Sequence, residues 1–164
     1  MIVRMLIPLL AVLALAGCAS VPFETGGVAL GLKPADVRDD PEAARDRLVL
    51  WGGTIARARN LEERTLLEVV AYPLRERTQR PRTDAGTLGR FRVYVDGYLE
   101  TASFAPGREV TVRGRVAGTE RGQVGEADYV FPVIGSGELE LWPQASVRQE
   151  GSRVRFHFGV IFSN

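Results

Sequence analysis

The stretch "GREVTVRGRVAG", residues 107–118, carries the clearest strand pattern in the chain. Val110, Val112 and Val116 share one side of the alternation, and polar residues occupy the other side. Gly114 stands in the remaining position of the valine row. Successive side chains of a strand point to opposite faces, so the pattern predicts a strand with one buried face. Glycine inside a strand is typical of a bulge or sharp bend, so we expect a strongly curved sheet.

Similar patterns flank this stretch, which makes about seven strands in all. They are "LVLWGGTIARA" from residue 48, "ERTLLEVVAYPL" from 63, "GRFRVYV" from 89, "ADYVFPVI" from 127, "GELELW" from 137 and "RVRFHFGVIF" from 153. One short helix is predicted in "DDPEAARDRL", with Asp40 as N-cap and Pro41 as its first residue. This composition predicts an all-β domain, and closure into a small OB-like β-barrel would remove its exposed edges. A lipocalin-like barrel fits less well, because it needs eight strands.

The first 17 residues have the layout of a secretory signal peptide. Arg4 supplies a positive charge, the run from Met5 to Leu15 is almost wholly apolar, and small residues lead up to Cys18. The apolar run is shorter than the roughly 20 residues of a membrane-spanning helix. We therefore expect the signal to be cleaved between Gly17 and Cys18.

The sequence Leu-Ala-Gly-Cys, which ends at Cys18, resembles the lipobox of bacterial lipoproteins. The resemblance implies a diacylglyceryl group on the Cys18 sulfur and, after cleavage, a fatty acyl chain such as palmitate on its amino group. Several acyl chains hold a protein stably on a membrane, whereas one does so only marginally. Ala19 favours the outer membrane under the enterobacterial sorting rule. The alternative is that Cys18, the only cysteine, is a free buried thiol.

The chain is thus expected to have three parts: a signal peptide over 1–17, a lipidated N-terminus and tether over 18–32, and a single β-barrel domain over 33–164. Removing the signal takes away one arginine and no acid, which leaves 20 basic and 20 acidic residues. A net charge of zero argues against a general polyanion binder. The signal peptide also keeps the protein away from nucleic acid, so none is expected as a partner.

Seven stretches between Leu48 and Trp142, taken in order, resemble the Slp-type outer-membrane lipoproteins, a family named for a starvation-inducible member. They are "WGGTIARARN", "RTLLEVVAYPL", Arg80-Pro81, "GRFRVYVDGYLE", "FAPGREVTVRGRVAG", "GQVGEADYVFPVI" and "LELW". The resemblance implies a lipid-anchored protein of the outer membrane, with its domain on the periplasmic face and a role in envelope structure or stress response. It implies no catalytic activity.

The residues themselves show no catalytic set and no metal site. His157 is the only histidine, and no nucleophile or orienting carboxylate is identifiable from its spacing. The carboxylate pairs Asp39–Asp40, Glu62–Glu63 and Glu126–Asp128 fit a helix cap, a hairpin turn and a solvated surface. We therefore predict no enzyme, no metal and no cofactor besides the covalent lipid. An envelope hydrolase is the weakest hypothesis.

The best candidate for binding is the arginine-rich stretch at residues 74–92. Arg75, Arg77, Arg80 and Arg82 flank or lie within a long polar loop, Glu76 to Leu88. Long loops are often functional, and guanidinium groups suit phosphate and carboxylate. Envelope anions of this chemistry are lipid headgroups, lipopolysaccharide phosphates and peptidoglycan carboxylates, and an envelope protein is a further possible partner. The plainer alternative is a solvated, mobile loop.

A second functional hypothesis is a small-molecule carrier or sensor that uses the barrel interior or mouth. Aromatic residues would line that site, although a role in the core is the simpler interpretation. These residues are Trp51, Tyr72, Phe91, Tyr94, Tyr98, Tyr129, Phe131 and Trp142. The sequence thus favours a non-enzymatic envelope lipoprotein, with the carrier as its alternative.

Overall fold

The computed structural model describes residues 21–144 of the chain, which form five strands and two short helices. The helices are α1 (Pro34–Asp39) and α2 (Pro41–Ala44). The strands are β1 (Leu48–Asn60), β2 (Arg64–Tyr72), β3 (Arg90–Asp96), β4 (Glu109–Val124) and β5 (Ala127–Leu141). No helix of this described part is both long enough and apolar enough to cross a bilayer.

The strands form a closed barrel in the order β1-β2-β3-β5-β4. All neighbours are antiparallel except β3 and β5, which pair in parallel through Arg92–Val133 and Val93–Ile134. A five-stranded barrel with this crossover is OB-like. The prediction of an all-β, OB-like barrel is confirmed.

The valine row of β4 lies in the barrel interior, as its alternation predicts. Val110, Val112 and Val116 are fully buried. Trp51 and Phe91 meet edge to face across the interior, with ring centroids 5.3 Å apart, a favourable aromatic arrangement. A barrel of five strands is narrow, so these side chains fill it.

Glycines and bulges curve the two longest strands. The register between β4 and β5 shifts on both sides of Val116, next to Gly114 and Gly118. A side chain at Gly53 would overlap the carbonyl oxygen of Val70 on β2, so the close approach of β1 to β2 requires glycine there. The predicted curvature is present.

Two sequence predictions about elements need correction. "ADYVFPVI" and "GELELW" are parts of one strand, β5, because β4 is equally long and continues to pair with it beyond Gly135. "RVRFHFGVIF" lies outside the described residues. Two short helices replace the single predicted one: Asp40 does cap α2 by accepting from the Ala43 amide at 3.2 Å, but α1 precedes it.

Within the predicted tether, residues 18–32, the described part contacts the barrel domain at Phe23, Ala29 and Leu32, while residues 24–27 are exposed. The Phe23 side chain is buried. The Ala29 amide donates to the Leu48 carbonyl at 2.8 Å, and the indole of Trp51 donates to the Leu32 carbonyl at 2.7 Å. The Gly- and Pro-rich composition of this segment indicates irregular backbone, which is compatible with close packing.

Candidate functional surfaces

The arginine-rich stretch begins with a tight, ordered turn, which we call the arginine turn (residues 75–82). An isolated β-bridge joins Leu74 to Pro81 across its base. The Arg75 amide donates to the Arg80 carbonyl at 2.9 Å, and the Gln79 amide donates to the Arg75 carbonyl at 2.7 Å. Gln79 has a φ of +57°, which closes the turn. These bonds give the turn a defined backbone, while Arg75, Glu76, Arg77 and Thr78 are exposed to solvent.

Two of the four predicted arginines, Arg75 and Arg80, form ion pairs with acids of the same chain. Arg80 forms a 2.5 Å ion pair with Glu109, and its guanidinium also lies 5.9 Å from the centre of the Trp142 ring. Arg75 forms an exposed ion pair with Asp84 at 3.7 Å, which contributes little to stability. Arg80 is thus a structural residue.

The other two arginines, Arg77 and Arg82, are exposed and make no ion pair within residues 21–144. Two exposed acids accompany them: Glu76 lies in the turn itself, and Glu24 follows Phe23, which is hydrogen-bonded to Gln79. The arginine turn therefore presents two free guanidinium groups rather than four.

A buried amide holds the N-terminal segment against the arginine turn. The side chain of Gln79, in a residue only 4% exposed, accepts from the Phe23 amide at 3.0 Å and donates to the Phe23 carbonyl at 2.8 Å. We call this pair of bonds the Phe23–Gln79 clamp. The Gln79 carbonyl accepts from the Thr111 hydroxyl at 2.7 Å, which also accepts from the indole of Trp142 at 2.9 Å. The N-terminal segment, the turn, β4 and the end of β5 are thereby joined.

The sequence did not indicate the clamp. Phe23 and Gln79 are 56 residues apart, and neither belongs to a periodic pattern. Phe23 was assigned to the tether, and Gln79 to the polar loop. The only signal available was one large apolar residue in an otherwise small and polar segment.

A second surface lies on the outer faces of β2 and β3, the side on which OB-folds bind oligonucleotides or oligosaccharides. The guanidinium of Arg92 donates to Glu68 at 2.8 Å and to Glu120 at 3.3 Å, and lies 4.1 Å from the centre of the Phe131 ring. The side chains of Arg92 and Glu68 are 14% and 7% exposed. Arg92 is therefore neutralised and covered, so it does not offer a free cation to a ligand.

Tyr94 extends this network toward the solvent. Its hydroxyl donates to the carboxylate of Glu120 at 2.9 Å, and the guanidinium of Arg64 lies 3.9 Å from the centre of its ring. Burial, followed by the hydrogen bond and the negative charge of Glu120, raises the pKa of the Tyr94 phenol, against a smaller opposing effect of Arg64 and Arg92. The phenol thus stays protonated to higher pH than a free tyrosine.

The Tyr94 shift predicts a loss of stability at alkaline pH. Because the pKa of Tyr94 is higher in the folded state, its contribution is fully present below the unfolded pKa of about 10 and disappears as pH rises through the folded pKa. Urea unfolding at pH 8 and pH 10.5 measures this, with Tyr94→Phe for comparison. We expect the wild type to lose more stability between the two pH values than Tyr94→Phe does. Equal losses would contradict the shift.

The described residues contain no assembled metal or catalytic site. Within residues 21–144, no three His, Cys, Asp or Glu side chains are grouped as ligands for a metal ion. The two best-formed depressions are open surface grooves, one at the β1–β2 turn beside Arg64 and one on the β4–β5 hairpin beside Tyr129. Gly17, Cys18 and His157 lie outside the described residues.

The paired carboxylates lie where surface roles were predicted. Glu62 and Glu63 are in the turn between β1 and β2, and Asp40 caps α2. Glu126 and Asp128 are exposed at the β4–β5 turn. None of these pairs lines an enclosed cleft among the described residues.

Two known proteins can be aligned with a large part of this chain. An uncharacterized protein of Haemophilus influenzae is 33% identical over 96 residues, which cover 58% of this chain and 52% of that protein. The chain thus matches about half the length of this relative. The uncharacterized lipoprotein YeaY of Escherichia coli is 29% identical over 132 residues, which cover 79% of this chain and 67% of that protein.

Two solved structures show a weak likeness. The Pot1pC domain of Schizosaccharomyces pombe bound to single-stranded DNA has a TM-score of 0.35 at 8% identity, over 63% of this chain and 84% of its own. A small single-stranded DNA-binding protein of Streptomyces coelicolor has a TM-score of 0.35 at 19% identity, over 59% and 94%. Scores of this size transfer no ligand to this chain.

One protein-family model matches nearly the whole chain. The model described as "Outer membrane lipoprotein Slp family" matches residues 15–161. This range contains the barrel, the arginine turn and the predicted lipid-attachment residue Cys18. The resemblance stated from the sequence is confirmed: the chain belongs to the Slp family of outer membrane lipoproteins.

Proposed function

We propose that this protein is a non-enzymatic binding module, anchored in the outer membrane by lipid on Cys18, that binds an envelope component or envelope protein on its outer surface. The filled interior of the barrel is the observation that carries the proposal. Trp51, Phe91 and the valines of β4 occupy the space in which a carrier would hold its ligand. A ligand of this domain therefore binds outside.

Membership of an outer membrane lipoprotein family supports the proposed anchor. Leu15-Ala16-Gly17-Cys18 supplies the lipid-attachment motif at the end of an apolar run. Three acyl chains on Cys18 would hold the protein on the membrane without a spanning helix. We place the domain on the periplasmic face.

The ligand that the arginine turn fits best is an anionic envelope component or a protein partner. Arg77 and Arg82 are free to bind phosphate or carboxylate, as found in lipopolysaccharide and peptidoglycan. Acids balance the bases in the mature chain, so a nucleic acid is not proposed. The proposed role is in envelope structure or stress response, which agrees with the starvation-inducible member that the family is named for.

The alternative, a small-molecule carrier or sensor, has less support. It needs a cavity, and the best-formed depressions in residues 21–144 are open grooves at strand ends. Three of the predicted pocket aromatics, Trp51, Phe91 and Phe131, are instead buried in packed positions. Tyr98 is 68% exposed and lines neither of the two grooves described for residues 21–144.

Native mass spectrometry of the mature protein, gently extracted from outer-membrane fractions, tests both functions. We expect the mass of a chain that begins at an acylated Cys18, with no small molecule bound. Crosslinking in intact cells should then give a discrete adduct with an envelope protein or glycan. A stoichiometric small molecule retained by the wild type would contradict the proposal and favour the carrier.

A further inference from the structure

We infer that the face carrying the Phe23–Gln79 clamp lies against the lipid headgroups of the membrane that holds the acyl chains, with Arg77 and Arg82 at the level of the headgroup phosphates. The inference rests on the proposed lipidation of Cys18. It adds the orientation of the domain and the surface that meets the bilayer.

The clamp makes the connection to the membrane short. Phe23 is held at both its backbone amide and its carbonyl by a buried side chain. Only five residue steps separate Phe23 from Cys18. A fully extended chain spans about 3.4 Å per residue, so Phe23 lies within about 17 Å of the lipidated residue.

This length is small compared with the domain. The described residues correspond to a radius of gyration of about 14 Å, or a sphere roughly 35 Å across. A connection of about 17 Å cannot pass around such a sphere from its far side. The clamp therefore stays on the half of the domain that faces the bilayer.

Without the clamp, the chain would not restrict the orientation in this way. The next tertiary backbone bond is that from Ala29 to Leu48. Eleven residue steps separate Ala29 from Cys18, which corresponds to about 37 Å of extended chain. That length is about the domain's own diameter, so far more of its surface could then turn toward the membrane.

The residues beside the clamp suit a headgroup layer. Arg77 and Arg82 are two and three residues from Gln79 in the same turn, and both are exposed. Val21, between the clamp and the anchor, is an apolar residue that is 43% exposed. Arginines near an anionic membrane surface are attracted to it.

The charges of this face are mixed, so charge alone does not orient the domain. Glu24 and Glu76 are exposed acids on the same two segments. Far from the membrane, their negative charges cancel the attraction of Arg77 and Arg82 to anionic lipids. The cancellation occurs because side chains that neighbour one another in a turn lie within or close to one Debye length, about 8 Å. The short connection brings the face to the membrane, and the two arginines then bind phosphates at contact distance.

Fluorescence quenching in vesicles measures the orientation. The acylated mature protein is reconstituted in phosphatidylethanolamine–phosphatidylglycerol vesicles that contain a headgroup-linked nitroxide quencher. Because Cys18 is the only cysteine and its sulfur is acylated, Thr83→Cys and Asp96→Cys each give one labelling site. Thr83 directly follows the arginine turn, which is bonded to β4. Asp96 is on β3, which pairs with neither β1 nor β4 in the closed barrel. We expect strong quenching of a fluorophore at 83 and weak quenching at 96.

Two insertions test whether the short connection between Cys18 and Phe23 causes the expected difference in quenching. A Gly/Ser insertion of about 12 residues after Ser20 adds about 20 Å of root-mean-square reach and should abolish the difference between the two labels. The same insertion after Gly26, an exposed position beyond the clamp, leaves the five-residue connection intact and should preserve the difference. Neither insertion alters the barrel. Gln79→Ala, which removes both clamp hydrogen bonds, should reduce the difference between the two labels.

Equal quenching at 83 and 96 in the acylated wild type would overturn the inference, as would stronger quenching at 96. Persistence of the difference with the insertion after Ser20 would do the same. Arg77→Ser with Arg82→Ser should reduce quenching at 83, and Arg121→Ser should not; an unchanged double variant would remove the two arginines from the interface. The mass of the same sample reports on the proposed function separately, since a chain without acyl groups on Cys18 would contradict the anchor itself.

Discussion

The variant Cys18→Ser should accumulate as an unprocessed precursor that carries no lipid. A serine hydroxyl is a far weaker nucleophile than a cysteine thiolate and does not form the thioether to diacylglycerol. In the lipoproteins that this N-terminus resembles, cleavage follows this acylation, so residues 1–17 should remain attached. Intact-mass measurement of the membrane and soluble fractions reads out both events. We expect complete loss of the acylated, processed mass.

Ser20→Ala is the matched control for Cys18→Ser. It removes a hydroxyl two residues away and leaves Leu-Ala-Gly-Cys intact. This variant should be processed and acylated like the wild type. A Cys18→Ser protein that still fractionates as a processed, acylated chain would show that the lipobox interpretation is wrong.

The barrel was predictable because strand alternation is a local property of the sequence. The row of Val110, Val112 and Val116 identifies a face that must be buried, and burial of such faces in a chain of short strands leads to a closed sheet. Glycine was interpreted correctly at Gly114, next to a bulge, and wrongly at Gly135–Gly137, where a strand break was predicted. Glycine is the local signal both of a bulge within a strand and of a turn between two strands, so the sequence alone does not separate the two.

The arginine turn was predictable as a segment but not as a structure. Arg80 differs from Arg77 only in the partner that the fold brings to it, since Glu109 is 29 residues away in the chain. The same is true of Phe23 and Gln79, whose contact depends on the closed barrel. Pairing of polar side chains between distant segments has no period, so the sequence could name candidate arginines without separating free from engaged ones.

Replacing Arg92 with methionine should destabilise the fold by about 3–5 kcal/mol, because removing one partner of a buried ion pair leaves the other charge unpaired. Glu68 is 7% exposed and receives its side-chain hydrogen bond from Arg92. Urea unfolding of the protein, monitored by tryptophan fluorescence, measures the change. Arg113→Met is the matched control: Arg113 also pairs with a glutamate across two strands, but Glu138 is 66% exposed, so the cost should be about 0–1 kcal/mol.

The double variant Arg92→Met with Glu68→Leu separates the unpaired charge from the loss of packing. If the lone carboxylate causes the destabilisation, removing it as well should restore most of the stability, because apolar residues of similar volume often replace a buried ion pair at little cost. The buried Nε of Arg92 already lacks a hydrogen-bond partner within the described residues, so the guanidinium contributes less than its full set of bonds. A double variant as unstable as Arg92→Met would instead assign the effect to the other contacts of Arg92, those with Glu120 and with the Phe131 ring. In that case the Arg92–Glu68 charge pair would be incidental to stability.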